Sequence, residues 1–164
     1  MTGSAGVVCL VLGELAAGGA ILLFVTPLWR EVKRGFFKVS GIVLLAVAAG
    51  AWRSGASGLV AGSDAGRWSV WLSGVLAAVT LGWVLLLFLR RDAAARVLGV
   101  ASVPLSIAML AAMAGTAEGS TGVALLQLLA GAAFLGAVMD GLLLGHWYLT
   151  DRGLSRTPIE RYTT

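Results

Sequence analysis

Five long apolar runs alternate with short polar breaks along the chain, and this alternation predicts five helices. An α-helix rises 1.5 Å per residue, so about 20 apolar residues cross a hydrocarbon layer of about 30 Å. The first run, residues 5–29, is interrupted only by Glu14. It closes at Thr26 and Pro27, where a proline can stop or bend a helix, with Trp29 at the level of the interface. A short basic loop, Arg30 to Arg34, follows. The second run, residues 36–52, is the shortest, and Lys38 near its start can snorkel back toward that loop. Arg53 closes it, and the Gly/Ser-rich segment 54–66 reads as an exposed loop. The alternative carries the second helix on to about Gly62.

The third run, residues 68–89, has Trp68 and Trp71 at one end and Arg90-Arg91-Asp92 beyond the other. The fourth, residues 97–115, carries Pro104 between Ser102 and Ser106, and a kink is expected there. The fifth, residues 122–149, would span about 42 Å if wholly helical, so it has to tilt or protrude. Residues 150–164 form a short basic tail. No fixed-period repeat appears, and the chain reads as one bundle.

Charge placement orients this bundle. Lysines and arginines number four after the first helix, two after the second, three after the third, none after the fourth and three after the fifth. Alternate loops therefore hold ten against two. The positive-inside rule then puts the N-terminus outside and the C-terminus in the cytoplasm. A four-helix reading breaks this alternation, which is why the weak second helix is kept.

Composition agrees with the pattern. Charged residues make up 12% of the chain, and soluble domains carry about 25%. Mean hydropathy is +0.93, and the bilayer supplies the apolar solvent that a soluble core would otherwise provide. The net charge of +4 sits in clusters at the ends of apolar runs, where it meets lipid headgroups, so no nucleic-acid partner is expected. Cys9 is the only cysteine, which rules out an internal disulfide. The first run lacks a basic leader and is long for a signal-peptide core, so it is expected to be a retained spanning helix. The preference for arginine over lysine and the Ala/Gly-rich helices are associated with a bacterial inner membrane.

The candidate chemistry is sparse. Glu14 and Asp140 each fall about ten residues into their runs, near mid-membrane. A carboxylate there costs roughly 2.5–3.5 kcal/mol on insertion scales. Two readings stand open for Asp140: a proton, cation or ligand site, or a polar contact that fixes helix packing. For Glu14, near Gly13, Gly18 and Gly19, the packing reading leads. Arg53 could reach Glu14 from the second helix, or lie exposed at the interface. His146 is six residues past Asp140, about 120° away round the helix, so the two form no one-face dyad. Beside Trp147 and Tyr148 it reads as an interfacial anchor, with a hydrogen bond to a quinone or lipid headgroup as the functional alternative.

Trp29, Trp68, Trp71, Trp147 and Tyr148 are expected as interface anchors. Trp83, in mid-run, is the exception, a candidate for packing on a partner, a lipid or a pigment-like ring. Gly141-x-x-x-Gly145 matches a small-residue contact motif, and Gly136, Asp140 and Leu144 share one helical stripe.

One histidine and one cysteine cannot supply a bis-histidine haem site or a thiolate-bound cluster. No catalytic constellation or metal-ligand pair at helical spacing is present, so no enzyme mechanism is expected from this chain alone. The expectation is a small polytopic subunit of a larger membrane complex, with electron transfer as one setting. Its contacts would be lipid, a quinone, and other subunits or further copies of itself. The competing expectation is a proton- or ion-coupled transporter or channel using Glu14 and Asp140.

Overall fold

A computed structural model describes residues 3–30, 32–57 and 63–150, and no strand occurs among them. The expected basic tail lies outside the described residues, as does the middle of the Gly/Ser-rich segment. The helices are α1 (Gly3–Val25), α2 (Arg34–Ser57), α3 (Asp64–Phe88), α4 (Asp92–Ala114) and α5 (Thr121–Thr150), with a short 3-10 turn at Pro27–Arg30. All five are long and apolar enough to cross a membrane.

Several helices run past the ends of their apolar runs, and local hydrogen bonds show why. α2 continues to Ser57, where Arg53 donates to the Ser57 hydroxyl one turn on and that hydroxyl donates to the Arg53 carbonyl. The segment expected to be loop from Ser54 is thus helical for another turn. α3 starts at Asp64, four residues before Trp68, because the Ser63 hydroxyl accepts from the Gly66 amide as an N-cap. Asp64 then complements the positive end of the helix dipole. α4 begins at Asp92 for the same electrostatic reason. α1 stops at Val25, earlier than the hydropathy run, where the Thr26 hydroxyl donates to the Leu22 carbonyl and Pro27 opens the 3-10 turn. Between α3 and α4, Arg90 takes a left-handed conformation (φ 58°). The Arg91 amide reaches back to the Leu86 carbonyl, the closure that usually employs glycine.

α1 to α4 form a ring in which each helix packs on the next and α4 returns to α1. α5 lies outside this ring, chiefly against α1, touching α4 and α2 only at its edges. α1 is therefore hemmed in on three sides. Its buried positions, among them Gly13, Ala16, Ala17, Gly18, Gly19 and Ala20, are nearly all small, and small residues let helix backbones approach closely.

Inside the ring, Ser69, Ser73 and Thr80 of α3 and Ser102 and Ser106 of α4 are buried, and each hydroxyl donates to a carbonyl one turn earlier. This satisfies the hydroxyls within their own helices, as burial requires. α4 runs unbroken through Pro104, and the flanking serines bond to the carbonyls of Gly99 and Ser102.

An aromatic cluster closes one end of the ring. Trp29 stacks on Phe37 at 4.0 Å between centroids and 7° between planes, and it also meets Phe24 and the edge of Trp83. The expected anchor Trp29 is thus folded inward by the 3-10 turn and packs within the protein. Trp83 is buried in the same cluster, against Phe24 and beside Gly41, so its neighbours are internal. Cations ring this end: Arg34 pairs with Asp92, Lys38 lies over the Phe88 ring at 4.4 Å, and Arg96 lies over Trp29 at 5.6 Å.

Candidate functional site

The seam between α1 and α5 carries the two carboxyl groups, Glu14 and Asp140, that interrupt its apolar helices. On α5 the buried positions are Ala132, Gly136, Asp140 and Leu144, a single stripe at i, i+4, i+8 and i+12 that faces α1. At the tightest point the backbones touch. A Cβ added at Gly18 would lie 1.8 Å from the Ala132 carbonyl oxygen, and one at Gly136 would lie 2.3 Å from the Gly18 carbonyl carbon. Only glycine fits at these two positions, because a side chain has nowhere to go except into a main chain.

Gly141 and Gly145 lie on the exposed side of α5 with open space around them. The glycine contact within this chain is therefore made by Gly136 with Gly18 and not by the Gly141-x-x-x-Gly145 pair.

Asp140 is 1% exposed, and both its carboxyl oxygens lack a hydrogen-bond partner. Gly19 of α1 and Leu44 of α2 surround the same spot, and neither carries a side-chain donor. Buried polar groups are nearly always partnered, so an orphan carboxyl is an exception that asks for a reason.

Glu14, the middle residue of α1, lies on the other side of the Gly18 crossing, with its carboxyl against Gly131. It forms a wall of a cleft of about 340 Å³ between α1, the C-terminal end of α4 and the start of α5, together with Thr116 and Gln127. α4 ends at this level, and its end opens the cleft. Of the two readings of Arg53, the contact with Glu14 is not made, and the side chain is exposed. Leu12 faces α2 beside Gly50, and Glu14, two residues on, points about 160° away round the helix, while Arg53 is exposed and bonded to Ser57.

At the opposite end of the seam a second cleft, of about 540 Å³, opens between α2 and α5. Lys33 and His146 stand exposed at its mouth; Phe36, Val39, Leu143 and Trp147 form apolar walls. Ser40 lines it too, and the Ser40 hydroxyl is buried with no hydrogen-bond partner. Trp147 covers Gly35 and meets the edge of Phe36, so α5 holds α2 here by aromatic packing. Asp140 sits one turn along α5 from Leu143, about 4.5 Å deeper along the axis.

Of the remaining predicted positions, Trp68 and Trp71 are exposed and pack edge to face on each other, beside Arg67, which pairs with Asp64. Tyr148 is partly buried. Ser40 and Gln127 drew no attention in the sequence. A lone serine in an apolar run carries no spacing signal, and only its orphan hydroxyl singles it out. Among the described residues no cluster of histidine, cysteine and carboxylate could hold a metal. Comparison with family models, with curated proteins and with solved structures finds no match.

Proposed function

We propose that this chain is a small integral membrane subunit that seats the polar head of an amphiphile, a quinone or a lipid, in the cleft between α2 and α5. The observation that carries the reading is the buried, unpartnered Ser40 hydroxyl in the wall of that cleft. Ser40, His146 and Lys33 can all donate hydrogen bonds, so they suit a head rich in acceptors, such as a quinone carbonyl or a phosphate. Phe36 and Trp147 suit a ring or an acyl chain beside it, and a cleft of about 540 Å³ lies within the usual range for small-ligand sites.

The gathering of Lys33, Arg34, Lys38, Arg90, Arg91 and Arg96 at this end of the bundle supports a cytoplasmic position for the cleft, with the N-terminus outside. A bacterial inner membrane is the setting that composition favours. Most of α5 faces away from the bundle, which leaves room for lipid and for other subunits or a second copy.

The test is the amphiphile itself. Protein purified in mild detergent from native membranes should carry a stoichiometric quinone or lipid, identified by native mass spectrometry, and Ser40→Ala with His146→Ala should lose it. A quinone and a phospholipid are distinguished by mass. A preparation free of both, running as a lone monomer on blue-native gels, would end this proposal.

A further inference from the structure

Glu14 and Asp140 sit on opposite sides of the closest point of the α1–α5 seam, and each is approached by its own cleft. Glu14 lines the cleft at the α4–α5 turn. Asp140 lies one turn along α5 from Leu143, which lines the cleft at the cationic end. Between them Gly18 meets Ala132 and Gly136 main chain to main chain, so neither cleft continues into the other. Gly131, which faces Glu14, is nine residues from Asp140 along α5, about 13 Å at the helical rise.

We propose that the α1–α5 seam is a gated path for protons, loaded at Glu14 from one side of the membrane and discharged through Asp140 to the other. This goes beyond the amphiphile reading and does not depend on it. Intramembrane carboxyl groups in chains of this kind are the usual carriers in proton relays.

The surroundings of Asp140 select the proton over other cations. A metal ion of the hard class takes six or more oxygen ligands. Asp140 offers two oxygens, α1 meets them with Gly19, and α2 contributes Leu44. A proton needs one oxygen. The charged groups on the helices packed round Asp140 are directed elsewhere: Glu14 of α1 lies beyond the crossing, Arg34, Lys38 and Arg53 of α2 are turned to Asp92, the Phe88 ring and Ser57, and His146 of α5 is exposed beside the cleft. No ion pair therefore holds the Asp140 carboxyl in its charged form.

The gate follows from the way the seam is built. The main-chain contact of Gly18 with Ala132 and Gly136 lies between the two carboxyl groups, so water has to enter there for a proton to pass. At the crossing itself only glycine and alanine meet, and beside it the flexible Met139 side chain lies on Gly19. α5 is fully buried along one stripe only and lies outside the ring of four helices, so the gate is a small shift of α5 on α1 that joins the clefts. The transfer moves one proton from water to Glu14, on to Asp140 and out to water, with no electron exchanged and the gradient as the driving force.

The test uses the protein purified from native membranes and reconstituted into vesicles with a trapped pH dye and an imposed potassium diffusion potential. Acidification above protein-free vesicles is expected, with none driven by a sodium gradient. Asp140→Asn and Glu14→Gln should each return acidification to the protein-free level while eluting as the wild type does in detergent. Glu14→Gln, at a partly exposed position, serves if Asp140→Asn does not fold. Amphiphile retention by Glu14→Gln should be unchanged, which separates this proposal from the previous one. Wild-type protein no better than empty vesicles, or a folded Glu14→Gln that conducts normally, overturns it.

Discussion

Placing a methyl group at Gly18 tests the seam directly. In Gly18→Ala the new Cβ would stand 1.8 Å from the Ala132 carbonyl oxygen, against the 3.4 Å of an ordinary contact, so the helices have to part by about 3.4 − 1.8 = 1.6 Å. A gap of 0.5–1 Å already forfeits about a quarter to a half of a contact's dispersion energy, so most of the local packing goes. Overpacking of this kind costs about 1–3 kcal/mol. Better helix propensity returns at most about 1 kcal/mol. A net loss of up to about 2 kcal/mol is therefore expected, and a deficit of about 1–3 kcal/mol against a variant with the same propensity gain and no clash, read as a lower denaturation midpoint in detergent titrations. Gly141→Ala is the matched control: it has the same propensity gain and open space at the site, so no loss is expected from contacts within the chain. Equal stability of Gly18→Ala and Gly141→Ala would falsify the backbone contact on which the seam rests.

Three further expectations concern other parts of the molecule. Asp140→Val removes a buried carboxyl that no group satisfies, and it should stabilise the fold by about 1–3 kcal/mol in the same titration; a loss would mean that the carboxyl holds the helices together. Arg34→Ala and Asp92→Ala break an ion pair whose side chains are 36% and 39% exposed, so a double-mutant cycle should give a coupling of about 1 kcal/mol or less, falling with salt. Trp83→Ala empties the centre of the aromatic cluster and should cost about 3–5 kcal/mol, and Trp83→Phe clearly less; equal costs would show that the indole packs elsewhere.

The five helices could be read from the chain because hydrocarbon thickness sets the length of each apolar run. Their ends could not, because hydropathy marks the edge of the oil and not the edge of the helix. The segments Arg53 to Ser57, Asp64 to Arg67 and Asp92 to Arg96 carry charges that end the apolar runs and are still helical. The stripe through Gly136, Asp140 and Leu144 was visible as a spacing, yet spacing alone does not choose among the many glycines of α5. Gly136 meets α1 and Gly145 does not, and only the placement of α1 decides that. The stacking of Trp29 on Phe37 was not legible, because an aromatic at the end of an apolar run looks the same whichever way it turns. The clefts depend on where α4 stops and how α5 leans on α2, which are properties of pairs of helices.

The central position of α1 has a consequence for how the molecule is made. Its neighbour α5 starts at Thr121, 121 − 25 = 96 residues after α1 ends at Val25. At translation speeds of about 5–20 residues per second, α1 waits about 5–20 s for its partner after it is complete. Throughout that interval its glycine-lined flank, and Glu14 with it, lacks the helix that covers it in the folded chain. Biogenesis of this protein thus has a built-in delay, during which the nascent bundle is a ring of four lacking its outer strut.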